Sequence, residues 1–178
     1  RYLGVDFSAG ESTHPKGVSM SHSIDRKDVP SQQALVQRRK ASTGPEMSKA
    51  IGEALQAVFA YAHSTGAPIS GRPFARYLDM GPGPMTFEVG VFVSPDGEVS
   101  GAGESDGVET VSMQGGAVAA TLHRGPYETL HEAYAALQEW MTGEGLKPAG
   151  PPWEVYVTDP TTVENPAEWE TEVYWPVA

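Results

Sequence analysis

Residues 123–177 read HRGPYETLHEAYAALQEWMTGEGLKPAGPPWEVYVTDPTTVENPAEWETEVYWPV, and the order helix, turn, strand, long loop, strand is legible in them. Gly125-Pro126-Tyr127-Glu128 is a proline-led helix start. Leu130, Ala133, Tyr134, Leu137, Trp140 and Met141 then recur at three- and four-residue steps, one apolar stripe of an amphipathic helix. Gly145 is placed to close that helix. Strands are expected over 153–157 and 171–177, the second enclosing a carboxylate, Glu172, in an apolar run. A strand over 117–123 leads into the whole.

The same order occurs once upstream. Thr43-Gly44-Pro45-Glu46 starts a helix whose stripe is Met47, Ile51, Leu55, Val58, Phe59 and Ala62, and Gly66 with Pro68 ends it. Strands are expected over 74–80 and 86–93, a hairpin at Asp96-Gly97, an acidic connector over 97–107 and a short strand over 108–113. The two copies superimpose at an offset of 79: Gly66 on Gly145, Gly71 on Gly150, Pro73 on Pro152, Phe74 on Trp153 and Tyr77 on Tyr156. Beyond Tyr77 the second copy has a longer loop, so Phe87-Glu88-Val89 falls on Thr171-Glu172-Val173. Several matches in register with both helices mark a duplication, with repeats over about 31–95 and 108–178. Each repeat is a strand-helix-strand-strand unit, so the expected fold is α+β, with antiparallel sheet, helices on one side and a pseudo-twofold axis.

At 178 residues the chain suits one domain with a real core, over 30–178. Residues 1–29 carry no strand or helix period and read as a flexible tail or a cloning remnant, with Met20 a plausible native start. A strand over 34–41 carries Arg38, Arg39 and Lys40, which suggests a sheet edge. The formal charge of −11 argues against nucleic acid as a partner and favours cationic ligands. The absence of cysteine excludes disulfides, thiolate metal sites and a cysteine nucleophile. No apolar run approaches a membrane span and no secretory signal pattern is present, so a cytoplasmic protein without membrane contact is expected.

Strand alternation puts Glu172 and Tyr174 on one face and Val173, Trp175 and Val177 on the other. Glu172 either faces solvent or lies in a cavity, where burial would raise its pKa and make it attract a desolvated cation. Glu88 holds the equivalent place in the first repeat. There Gly90 replaces Tyr174, so a more open side is expected. Tyr127, Tyr156, Trp153, Phe74, Tyr77, Tyr174, Trp175 and Trp140 are candidate aromatic walls, which suit flat or cationic ligands. Trp140, on its helical stripe, reads as core. His123, His131 and Glu128 do not make a metal site, because no second histidine follows at helical spacing. Gly-x-Ser-x-Gly is absent, and Asp159-Pro160 reads as a turn.

His123-x-Gly125-Pro126-Tyr127, Leu137-x-x-Trp140, Gly150-Pro151-Pro152-x-Glu154-x-Tyr156, Asp159-Pro160 and Thr171-Glu172-Val173-Tyr174-x-Pro176-Val177 together resemble the GyrI-like effector-binding domain. That domain also ends multidrug-responsive regulators of the MerR and AraC types. The resemblance covers roughly residues 31–178 and implies a duplicated SHS2-type module with a ligand pocket between the halves. No helix-turn-helix pattern precedes it here, which implies the stand-alone form. The implied ligand is bulky and hydrophobic, aromatic or cationic. It would be held by a buried glutamate at Glu172 with Glu88, Tyr127, Tyr156, Trp153, Phe74, Tyr77, Tyr174 and Trp175, and without metal or cofactor. The implied role is sequestration or resistance to a drug or toxin. Family members that hydrolyse cyclopropane-bearing genotoxins leave a second reading open. In it Glu172 orients or deprotonates water and Tyr156 or Tyr174 donates to the developing oxyanion. A third is a gyrase-inhibitor-like module for protein interaction. A monomer or weak homodimer is expected.

Overall fold

The structure is a computed structural model, in which residues 22–94 and 107–178 are described. Its elements in chain order are β1 (Ile24–Val29), β2 (Gln32–Ala41), α1 (Pro45–Thr65), β3 (Ile69–Asp79), β4 (Met85–Val93), β5 (Val108–Met113), β6 (Gly116–Arg124), α2 (Leu130–Gly143), β7 (Trp153–Tyr156) and β8 (Glu170–Pro176). All eight strands form one antiparallel sheet in the order β1-β6-β8-β7-β3-β4-β2-β5. The order reads alike from either end once β6, β7 and β8 are matched to β2, β3 and β4. The duplication is therefore visible as a pseudo-twofold axis at the centre of the sheet. There β3 meets β7, and Ala75 is the direct partner of Glu154.

Both helices lie on one face of the sheet. Alanines make the closest approach of α1: Ala54 and Ala62 are buried with Val58 and Tyr61, while Phe59, expected in the stripe, is turned outward. Small side chains bring a helix axis near the sheet, which rotates the buried stripe toward them. Gly66 ends α1 at φ 68°, in the left-handed conformation that glycine takes without penalty. α2 buries Leu130, Ala133, Leu137 and Met141 against Ala119, Val173 and Trp175.

On the other face the sheet curls on itself. Residues 30 and 31 join β1 to β2, and residues 114 and 115 join β5 to β6, although the partners of each connection lie near opposite ends of the sheet. The connectors cross at Gly115, where a side chain would meet the Ser31 nitrogen at 2.5 Å and the Val29 oxygen at 2.6 Å. Inside the curl lie Ala34, Val36, Phe74, Phe92, Met113, Val118 and Trp153.

Two sequence expectations change here. Residues 24–29, read as part of a tail, form β1, paired along its length with β6. An outermost strand is held by backbone pairing and tolerates a charged sequence such as IDRKDV, so it shows no apolar alternation. The residues before 22 lie outside the described structure, as do the Asp96-Gly97 hairpin and all of the acidic connector but Gly107. Strand β2 is not an edge: it pairs with both β4 and β5, and Arg38 reaches across the sheet to Glu88.

Gly90 is also not an opening. A side chain there would meet the Leu35 carbonyl oxygen at 2.0 Å and Val36 Cγ1 at 2.8 Å, so the backbone of β2 occupies the space. Gly90→Ala is expected to cost roughly 3 kcal/mol or more. Gly52→Ala, in α1 with nothing within 4 Å of the added atom, is expected to stabilise by about 0.5–1 kcal/mol. Urea midpoints of the two variants measure both effects, and their opposite signs test the packing.

Candidate functional site

The buried carboxylate of the helix-covered face is Glu154, in β7 and 4 % exposed. Three phenols close on it. Tyr77 of β3 donates to Oε2 at 3.0 Å, Tyr156 of β7 to the same oxygen at 3.1 Å, and Tyr134 of α2 to Oε1 at 2.9 Å. Tyr77 and Tyr156 are the same position in the two repeats, so the pseudo-twofold delivers one phenol from each side. Among the described residues no lysine, arginine or histidine forms an ion pair with this carboxylate. Burial pushes the Glu154 pKa up, and the three phenol hydrogen bonds pull the other way. Burial also holds Tyr77, Tyr134 and Tyr156 well above the usual phenol value, so all three remain protonated donors.

Further rings surround this cluster. Tyr127, in the 3-10 turn (Tyr127–Thr129) before α2, lies edge-on to Tyr156 at 5.6 Å between ring centres and against Trp169 at 4.9 Å. Trp175 packs edge-on to Tyr134 at 5.8 Å.

The sequence-derived candidates divide between the two faces of the sheet. Tyr77, Tyr127, Tyr156 and Trp175 stand on the helix side with Glu154. Glu172, Glu88, Trp153, Phe74 and Tyr174 stand on the other, because β8 shows alternate residues to opposite faces and Glu172 pairs with Val155 rather than Glu154. The grouping of Glu172 with Tyr156, as ligand contacts or as a catalytic pair, is thus corrected: the sheet separates them. Glu172 is half-buried and accepts from its own neighbour, Tyr174, at 2.7 Å. Tyr174 stacks on Trp153 at 5.2 Å, and the Lys27 ammonium lies 4.7 Å from its ring centre. Glu88 is 1 % exposed but already neutralised: Arg38 reaches Oε1 at 2.9 Å and Arg76 clasps Oε2. It has no charge left for a ligand. Phe74 stacks on Phe92 inside the curl, and Trp140 packs half-buried against the α2 core.

Glu154, quoted in the motif but not singled out, had a signal in the sequence. The repeats keep both tyrosines, yet the Glu154 position is Ala75 in the first copy. A carboxylate that interrupts a duplicated apolar strand on one side only marks where the two repeats differ.

His123 is also buried, beside this site. Its Nε2 lies 3.0 Å from Thr129 Oγ1, which itself donates to the Pro126 carbonyl at 2.8 Å, so the imidazole donates there. Its Nδ1 then accepts from His22 Nε2 at 3.2 Å. His131 and Glu128 of the rejected metal triad stand apart, joined only by a turn contact from His131 to the Glu128 backbone. No group of three metal-ligating side chains occurs among the described residues, and no helix there is long and apolar enough to cross a membrane.

Comparison with known proteins agrees with the fold. The GyrI-like small molecule binding domain matches residues 22–178. The structure is similar to the EcmrR C-terminal domain, with a TM-score of 0.76 at 20% identity, over 89% of this chain and 99% of that one. It is similar to a hydrolase from Listeria innocua at a TM-score of 0.63 and 18% identity, over 87% and 91% of the two chains. It is also similar to SAV2435, solved bound to tetraphenylphosphonium, at a TM-score of 0.57 and 10% identity, over 88% and 94%. At such identities the likeness is one of fold. No curated protein matches significantly.

Burial lowers the His123 pKa from 6.5, with His22 and His131 acting in the same direction and the Pro126 carbonyl and Glu132 against it. A histidine with a depressed folded value binds more protons unfolded, so stability falls as pH drops from about 6.5 through that lower value. Thermal melts between pH 7.5 and 5 are expected to show this loss, and His123→Gln to flatten it.

Proposed function

The chain belongs to the GyrI-like small-molecule-binding family, and from that premise we propose that it binds a bulky aromatic cation, or a hydrophobic molecule carrying one positive charge, against Glu154. The observation that carries this reading is the buried carboxylate with three phenols and no counter-charge among the described residues. Ring faces attract a cation by about 0.5–2 kcal/mol each, and the desolvated carboxylate adds a charge that water does not screen. The ligand would displace or part the phenols, whose hydroxyls then turn to solvent or to the ligand at small cost. Sequestration of toxic lipophilic cations is the role this chemistry serves. Tetraphenylphosphonium, the ligand held by one structural neighbour, has that chemistry and makes a suitable probe.

A raised carboxylate beside protonated phenols is also the equipment of a general base with oxyanion donors. The rival reading is therefore hydrolysis of a strained electrophile, such as a cyclopropane-bearing natural product. It uses Glu154 to draw a proton from water, and the tyrosines of Glu154 rather than Tyr174.

Two results are expected if the binding reading holds. Calorimetric titration with tetraphenylphosphonium should give saturable binding that Glu154→Gln weakens about tenfold or more, the loss of one close charge pair in a desolvated site. Affinity should rise with pH as Glu154 ionises, above the ordinary carboxylate range, and that rise should vanish in the variant. Equal affinity of parent and variant would sink the reading. Product from a cyclopropane-bearing alkylator, seen by mass spectrometry with the parent and absent with the variant, would establish the hydrolase instead.

A further inference from the structure

The two repeats fill one pair of twin positions differently. In the first repeat a row of directly paired residues crosses the helix-covered face from β2 to β3: Arg39, Phe87, Tyr77. In the second the corresponding row crosses from β6 to β7: His123, Thr171, Tyr156. Tyr77 and Tyr156 are twins and both hold Glu154. Beside Tyr77 stands the ring of Phe87, fully buried, with 6.0 Å between ring centres. Beside Tyr156 stands Thr171, also fully buried, and its hydroxyl has no hydrogen-bond partner.

The neighbours of that hydroxyl are all engaged elsewhere. His123 spends one nitrogen on Thr129 and the other on His22, and the Tyr156 phenol is given to Glu154. Directly opposed residues of antiparallel strands have Cβ atoms about 5 Å apart, so Thr171 lies against the Tyr156 ring and one pleat from Glu154. On this side the ring beside Tyr156 comes from outside the sheet, from Tyr127, which rests edge-on to Tyr156 and on Trp169. The first repeat thus closes its half with packed aromatic core. The second leaves a short polar side chain beside Tyr156, whose ring meets Tyr127 of the turn before α2.

We infer that Thr171 is a specificity-determining residue of the Glu154 site, its hydroxyl binding a hydrogen-bonding substituent of the ligand beside the Tyr156 ring. The inference rests on the Glu154 reading and narrows it. The ligand class becomes an aromatic cation that bears a hydroxyl, carbonyl or amide on the ring set against Tyr156. A buried hydroxyl gains a full hydrogen bond from such a group and gains nothing from a bare ring. Discrimination then comes from the second repeat, while charge recognition stays at the axis.

The test pairs matched probes with matched variants. Tetraphenylphosphonium is compared with its 3- and 4-hydroxymethylphenyl analogues, which share charge and bulk and differ by one alcohol. The parent is expected to bind at least one analogue about tenfold tighter than tetraphenylphosphonium, the worth of one net hydrogen bond. Thr171→Val, of the same shape, should erase that preference and leave tetraphenylphosphonium affinity within about twofold, because only the hydroxyl has gone. Thr171→Ser should retain the preference. Because the hydroxyl is unpartnered in the free protein, Thr171→Val should melt at or above the parent temperature. Absence of any preference in the parent, its survival in Thr171→Val, or a strong loss of stability in Thr171→Val would each overturn the inference. Glu154→Gln separates the two claims. If it weakens all three probes alike while Thr171→Val changes nothing, the inference about Thr171 falls and the Glu154 reading stands. If tetraphenylphosphonium binding survives Glu154→Gln, both fall together.

Discussion

A carboxylate removed from water, with no counter-charge among the described residues, is the constraint on which the centre of this protein depends. Moving Glu154 into the space between sheet and helices costs solvation, and only hydrogen bonds from neutral groups return part of it. The phenols must therefore arrive with the right reach. Each comes from a different place: one from β3, one from β7 and one from α2. A small change in how the repeats meet, or in where α2 lies on the sheet, would leave the carboxylate short of a donor. The pairing of β3 with β7 and the seating of α2 are structural facts whose consequence is electrostatic.

Duplication explains why such a site sits where it does. At the axis the two copies of a position become neighbours, as Ala75 and Glu154 are. Two carboxylates there would repel across a few ångströms of low dielectric, so only one copy can carry the charge. The repeat that keeps alanine supplies space and a phenol, and the other supplies the anion. The same logic runs outward along the rows, where Phe87 fills its half and Thr171 does not. Symmetry sets the frame, and its breaking makes the chemistry.

Much of this frame was legible in the residues. The apolar stripes of both helices, the glycines that end them and the fixed offset between repeats come from local rules of packing and backbone freedom, and local rules survive folding. Strand β1 was not legible because its stability comes from pairing with β6, nearly a hundred residues away, and its exposed positions are free to carry charge. The site was half legible. Tyr127, Tyr156, Tyr77 and Trp175 stand on the helix-covered face with Glu154, but alternation along β8 cannot say which face the helices cover. That is decided by α2 packing on Val173 and Trp175 rather than on Tyr174. Alternation alone therefore singles out Glu172, while the buried carboxylate under the helices is Glu154. Within one strand the two faces look alike; only the second layer distinguishes them.

Glu88 and Glu154 show what that layer decides. Both are nearly fully buried, and the chain solves the same solvation problem in two ways. Glu88 is matched by Arg38 and Arg76. If a ligand displaced the Arg76 guanidinium, itself largely buried, a second charge would be left without its partner, at a cost of several kcal/mol. That solution is permanent. Glu154 is matched by phenols that are neutral and stay neutral, since burial raises their pKa values further. Withdrawing a phenol leaves a hydroxyl that needs one hydrogen bond, a debt of about 1–3 kcal/mol that solvent or a ligand atom can meet. A positive charge arriving at Glu154 more than offsets it. A carboxylate meant to hold a sheet together is better served by arginine, and one meant to exchange its partners is better served by tyrosine. By that criterion Glu154, at the axis, is held by partners that can exchange, and the arginine-locked Glu88 is part of the frame.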